Sequence, residues 1–157
     1  MADPNVIGSD LGAKWIFEDT NTKIITLFRE NASGDFPEDD LSMHTPSTSS
    51  LTGVDYQIPA SKQFRLMTLN YGVDATTNDM SFGIIASTSA DDPSAGTKLW
   101  NWFFENSGAT TTGSYPQNFD FGGGLLCPAS TYVTLYNLDG LTNCRYVCTG
   151  WGVEYDA

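Results

Sequence analysis

The sequence predicts an all-β fold, an antiparallel β-sandwich or jelly roll of about eight strands with almost no helix. Three observations carry this. No run keeps apolar residues at the i, i+3, i+4 and i+7 spacing of an amphipathic helix with caps at its ends. β-Branched and aromatic residues instead gather in short runs separated by Gly, Pro, Asn and Asp. The composition is rich in Ser (14) and Thr (18), with 13% aromatic and only 17% charged residues, against roughly 25% charged in ordinary soluble domains. A chain of 157 residues allows one domain, which would bury roughly 68–70% of its unfolded surface.

Residues 1–13 are polar, with Gly8 and Gly12, and read as an extended arm; residues 14–157 read as a single β-sandwich domain. Lys14–Glu18 and Lys23–Arg29 are β-branched and aromatic, and Asp19-Thr20-Asn21-Thr22 between them is turn-forming, so a hairpin is expected. The pattern then lapses over 30–54, which holds Asp35-Phe36-Pro37-Glu38-Asp39-Asp40 and a Ser/Thr-rich run from Ser42 to Thr52. This predicts a long polar loop, of the kind that is usually functional or mobile.

Beyond Pro59 the strand signal is dense. Gln63 to Val73 alternates, with Phe64, Leu66, Thr68 and Asn70 on one side and Arg65, Met67, Leu69 and Tyr71 on the other. Apolar residues on both faces predict a central strand. Met80–Ser87 and Thr97–Phe104 follow, separated by a turn region at 89–96. Gly108–Gln117 reads as a polar loop, and Gly122-Gly123-Gly124 weakens any strand over Phe119–Cys127. Thr131–Leu138 and Asn143–Tyr155 complete the set, with Asp139-Gly140 as their turn.

Charge narrows the partners. Seven Lys and Arg stand against 19 Asp and Glu, a net charge of −12. Nucleic acid and anionic lipid need basic residues to neutralise phosphate, so neither is an expected partner. Residues 1–54 alone hold 3 basic against 9 acidic residues, so the acid is densest where the strand pattern is weakest. No apolar run approaches the ~18 residues of a membrane span. The start lacks the basic and apolar regions of a secretory signal, and an initiator Met fits synthesis in the cytoplasm. Three cysteines, Cys127, Cys144 and Cys148, leave at least one thiol unpaired, which suits a reducing compartment. Cys144-x₃-Cys148 lacks the spacing of a zinc pair, and the match of Asn31-Ala32-Ser33 to a glycosylation sequon reads as chance without a signal peptide.

Catalytic signatures are few. His44 is the single histidine, which excludes a multi-histidine metal site, and it sits in the Ser/Thr-rich stretch. No nucleophile elbow, phosphate-binding loop or HExxH occurs, so no catalytic residue, cofactor site or metal site is assigned. Carboxylate groups at Asp35/Glu38/Asp39/Asp40, at Asp91/Asp92 and at Asp74 with Asn78/Asp79 could meet Ca²⁺, but none has EF-hand spacing and solvated acidic loops account for them.

Trp100-Asn101-Trp102-Phe103-Phe104 is the strongest local feature. On a strand, Trp100, Trp102 and Phe104 share one face. They are candidates for core or subunit packing, with a sugar platform as the remaining reading. Tyr115, Phe119 and Phe121 lie in a Gly/Thr/Pro-rich context and are the candidate exposed aromatics.

An internal echo links Ile58-Pro59-Ala60-Ser61 and Cys127-Pro128-Ala129-Ser130, each leading into a strand. These could be equivalent edges of two packed sheets. Together with the polar arm and the terminal Gly150-Trp151-Gly152-Val153-Glu154-Tyr155 strand, they give residues 55–157 a resemblance to the capsid decoration, or cement, proteins of tailed phages. The resemblance implies a non-enzymatic virion-surface protein that binds the major capsid protein on the outside of an icosahedral shell and stabilises it, as a homotrimer. It makes the arm, with Pro4, Val6, Ile7 and Leu11, the expected shell contact. Two other classes stay open. One is a carbohydrate- or receptor-binding β-sandwich, lectin-like or at a fibre tip. The other is a small hydrolase, for which no positive feature is present.

Overall fold

The structure, a computed structural model, describes residues 21–31, 41–47, 50–75, 80–92, 95–104, 113–137 and 145–157. Among these lie ten strands and no α-helix: β1 (Lys23–Asn31), β2 (Leu41–Ser42), β3 (His44–Ser47), β4 (Ser50–Asp55), β5 (Lys62–Ala75), β6 (Met80–Ser87), β7 (Gly96–Phe104), β8 (Gly113–Cys127), β9 (Tyr132–Asn137) and β10 (Arg145–Asp156). They form two sheets, six-stranded in the order β4-β3-β1-β10-β5-β8 and four-stranded in the order β2-β9-β6-β7. Every pairing is antiparallel. The protein is an all-β sandwich. The arm, the Lys14–Glu18 half of the first hairpin, Cys144 and most of the acidic run lie outside the described residues.

Alternation fills the space between the sheets. Leu27, Phe64, Leu66, Leu69, Tyr71 and Cys148 from the six-stranded sheet meet Ile84, Val133 and Leu135 from the four-stranded one, all in one buried cluster. Apolar side chains taken from both inner faces are what a sandwich core needs.

Two crossings join the layers. At Met43 the chain passes from β2, paired with β9, to β3, paired with β1. Met43 N–H donates to Val133 O (2.8 Å), and Tyr56 N–H donates back to Met43 O (2.8 Å). After β4, Ile58 N–H donates to Thr131 O and Ser130 N–H to Ile58 O, both at 2.9 Å. These bonds satisfy backbone that would otherwise be buried unpaired.

The stretch expected as one polar loop over 30–54 is therefore corrected: β1 runs on to Asn31, and β2, β3 and β4 occupy most of 41–55. Ser and Thr hide these strands from hydrophobic patterning, because their positions are fixed by backbone pairing and by the buried Met43 and Tyr56. The echoed segments are adjacent, but β5 and β9, which they lead into, are interior strands of their sheets rather than edges.

A bulge corrects the expected faces of β5. Met67 is skipped in the pairing with β8, between Leu66 and Thr68, and in the pairing with β10. One extra residue flips everything after it. Leu69 and Tyr71 thus join Phe64 and Leu66 in the core, while Asn70 faces out. Opposite Met67, β8 carries Phe121-Gly122-Gly123-Gly124 between the partners of Thr68 and Leu66. Gly124 has φ +80°, and a Cβ there would sit 2.9 Å from both Arg65 Cβ and Met67 Sδ. The glycine run makes the bulge possible and does not end the strand. Much of the loop expected at 108–117 belongs to β8 as well.

Candidate functional site

The outer face of the six-stranded sheet carries an open groove and is the candidate surface. Along β10, Cys148, Gly150, Gly152 and Glu154 turn inward, so Val147, Thr149, Trp151 and Val153 turn out. Register places Thr149 beside Asn70 and Asn70 beside Asn118, and places Val147 beside Gly72. An open groove of about 320 Å³ lies here, lined by Asn70 and Gly72 of β5, Gln117 and Asn118 of β8, and Val147 and Thr149 of β10. Val147 is 52% exposed, unusual for a valine in an interior strand.

Farther along the same face, Arg65 ties three strands together. Its Nε donates to Tyr155 Oη (3.1 Å) and its Nη1 to Gly123 O (3.2 Å). Tyr155 in turn donates to Gln63 Oε1 (3.1 Å). The guanidinium is thus occupied in holding the β8 bulge against β5.

The lone histidine joins a junction between β1, β3 and β4. His44 Nε2 lies 2.9 Å from Asp55 Oδ1 and in contact with Arg29 Nη1. Arg29 also donates to Ser42 O (3.1 Å) and stands 3.6 Å from Asp55 Oδ1. The imidazole meets the Phe28 ring edge-on at 5.8 Å. The pairs are consistent with a role in fastening the edge of the sheet. Replacing His44 by Ala is expected to lower stability by about 1 kcal/mol, read as a shifted urea midpoint at neutral pH; an unchanged midpoint would contradict that role.

Two of the three thiols and Tyr56 are sealed in among the described residues. Burial pushes the Cys127 thiol up to about 12 and raises Cys148 still further. Thiols this far from their thiolates are poor nucleophiles. Tyr56, raised by burial and by its bond to Glu154, donates to Glu154 Oε2 at 2.9 Å in the core.

The sequence-selected residues distribute as follows. Trp100 and Trp102 of β7 pack against the core cluster and meet rings from β8. Trp100 lies 4.6 Å from Phe119 and 5.3 Å from Phe121 between centroids, and Trp102 lies 5.7 Å from Phe119. These aromatics close the sandwich where the edge strands of the two sheets, β7 and β8, come together. Phe119 and Phe121, expected to be exposed, are half-buried there, a correction that follows from their inward register on β8. Phe104 ends β7 opposite Met80, and Tyr115 lies in β8 opposite Val73. Pro4, Val6, Ile7 and Leu11 lie outside the described residues.

Of the carboxylate candidates, Asp91 accepts from Ser42 N–H (2.7 Å) while its own N–H donates to Ser42 Oγ (3.1 Å), which locks the β6–β7 turn onto β2. The Asp35–Asp40 cluster and Asn78/Asp79 lie outside the described residues. Among the described residues no group of three or more His, Cys, Asp or Glu is placed to hold a metal, and no helix is long and apolar enough to cross a membrane. Sequence reasoning missed the groove, whose lining comes from three strands far apart in the chain. Its local sign is the outward alternation of Val147, Thr149 and Trp151.

No protein-family model matches the chain, and no curated protein matches it in sequence. Solved structures do resemble it. Eiger TNF from S. frugiperda is 13% identical, covering 85% of this chain and 92% of its own, with a TM-score of 0.43. The coat protein of Tobacco streak virus is 14% identical, covering 88% of each chain, at a TM-score of 0.31. The K1 cleaved adhesin domain of Lys-gingipain from Porphyromonas gingivalis W83 is 14% identical, covering 88% of this chain and 93% of its own, at 0.34. At these scores the likeness is a loose one of strand layout.

Proposed function

We propose that this chain is a non-enzymatic structural protein of a virion surface, a decoration protein that binds the outside of an icosahedral shell through the major capsid protein and stabilises it as a homotrimer. The resemblance of residues 55–157 to tailed-phage decoration proteins supports the particular role. One structural observation supports the broader one. The thiols of Cys127 and Cys148 are buried and His44 is held between Arg29 and Asp55, while the outer face of the six-stranded sheet is left open.

Such a protein needs no turnover. It works by bridging neighbouring shell subunits, and repetition by symmetry turns weak contacts into high avidity. The acidic surface then faces solvent, because like charges brought together in an oligomer would repel. In this reading residues 1–13, whose polar sequence reads as an arm, add a strand to a neighbour's sheet edge.

Deleting residues 1–13 is expected to leave a folded oligomer whose binding to purified shells falls to background. Co-sedimentation with shells, alongside native mass, is the measurement. Unchanged shell occupancy would remove the arm from the mechanism, and a purified chain that never binds shells would remove the role itself.

A further inference from the structure

The groove on the six-stranded sheet has the chemistry of a ligand site rather than of a packing defect. Its floor is Gly72, where a Cβ would meet nothing nearer than Val147 O at 3.9 Å. The absence of a side chain at Gly72 thus leaves room between Val147, Asn70 and Gln117. Beside it, Thr149, Asn70 and Asn118 stand in one row across β10, β5 and β8. All three are exposed. Neighbouring strands are about 4.8 Å apart, so the row spans about 10 Å, the breadth of one sugar ring with its hydroxyls.

The groups in that row both donate and accept. An Asn amide offers an N–H₂ and a carbonyl, and a Thr hydroxyl offers either role. Vicinal hydroxyls of a sugar present the same mixed pattern in return. Val147 supplies an apolar wall for ring C–H groups, and Trp151 follows on the same face of β10 two residues beyond Thr149. No lining residue is charged. An anionic ligand would find no counter-charge in the groove and a net charge of −12 on the chain. A volume of about 320 Å³ falls at the small end of ligand sites, which fits one or two rings.

We infer that this groove binds a neutral hexose, free or as the neutral end of an oligosaccharide, through Asn70, Asn118 and Thr149, with Val147 against the ring. This goes beyond shell binding: a virion-surface protein with such a groove holds particles weakly to glycan-coated surfaces, and the shell multiplies each contact. Shell binding is assigned to the arm, so the two functions are separable.

The test uses the full chain and a panel of methyl glycosides of glucose, galactose, mannose and N-acetylglucosamine, with sialic acid and a sulfated hexose as anionic probes. Binding is read by chemical-shift perturbation and titration, without shells. At least one neutral glycoside is expected to bind. Asn70→Ala and Asn118→Ala should each weaken it about tenfold or more, and Gly72→Val, which fills the floor, should abolish it. Each variant's urea midpoint reports folding independently. Asn70→Ser serves if Asn70→Ala fails to fold, and it should retain part of the affinity. No binding by any neutral sugar, binding by the anionic probes alone, or binding indifferent to all three groove variants would each overturn the assignment.

Discussion

Raising the pH from about 9 to about 11 is expected to remove several kcal/mol of folding stability, a large fraction of the roughly 5–15 kcal/mol that a native domain possesses. The cause is three buried acids that hold their protons when folded. Cys127 is raised from 9.0 to about 12 by burial alone. Cys148, fully buried, is raised further by the same cause. Tyr56 is raised above its ordinary 10.0 by burial first and by Glu154 second. A group whose folded value is raised contributes stability below its unfolded value and loses it as pH climbs toward the folded one. In this window the unfolded chain gives up protons that the folded chain keeps. Each such group then tilts the balance toward unfolding by about 1.4 kcal/mol per pH unit. The thiols act from about pH 9 and carry most of the loss, and Tyr56 adds a smaller share from about pH 10.

Urea melts under reducing conditions at stepped pH values measure this directly. A midpoint that stays constant from neutrality to pH 11 would show that these groups are not sealed from solvent. Cys148→Ala separates the contributions. It should be less stable than the parent at neutral pH, having lost a buried group, yet show an alkaline slope shallower by about one third at the steepest part.

Legibility in the sequence followed the side-chain pattern and failed where backbone carries the information. β6, β7, β9 and β10 are legible because β-branched and aromatic residues concentrate in them between turn residues. β3 and β4 are not, because Ser and Thr sit on strands whose place is fixed by pairing and by the crossings at Met43 and Tyr56. β5 reads as a strand, but simple alternation gives the wrong faces beyond Leu66, since nothing in the composition announces that Met67 bulges out. The aromatic run on β7 was conspicuous, whereas its partners Phe119 and Phe121 looked exposed because their neighbours are small and polar. The groove was the least visible feature. Asn70, Asn118 and Thr149 are ordinary surface residues until strand register puts them in a row. His44 and Asp55 likewise meet only because the β3–β4 hairpin sets them opposite each other.

Two glycines in that same sheet are expected to respond in opposite ways to a single methyl group. Gly152 is buried on β10 directly across from Leu66. A Cβ there would fall 2.2 Å from Phe64 Cζ and 2.3 Å from Arg65 O. The oxygen belongs to the strand backbone and cannot move without opening the β5–β10 ladder. The ring belongs to the fully buried Phe64, which also packs edge-on against Tyr56 at 5.3 Å. Neither neighbour can yield cheaply, so Gly152→Ala is expected to cost about 3 kcal/mol or more, the upper range for overpacking a core. The disturbance should reach the Tyr56–Glu154 hydrogen bond through Phe64. Gly72→Ala adds the same methyl to open space on the outer face, nearest to Val147 O at 3.9 Å. It should be neutral or stabilising by up to about 1 kcal/mol, because it narrows the unfolded ensemble without strain. Denaturant midpoints of the two variants, measured side by side, are therefore expected to separate by several kcal/mol. Equal midpoints would mean that β10 does not pack on β5 in the register described, and would move the row of Thr149, Asn70 and Asn118 along with it.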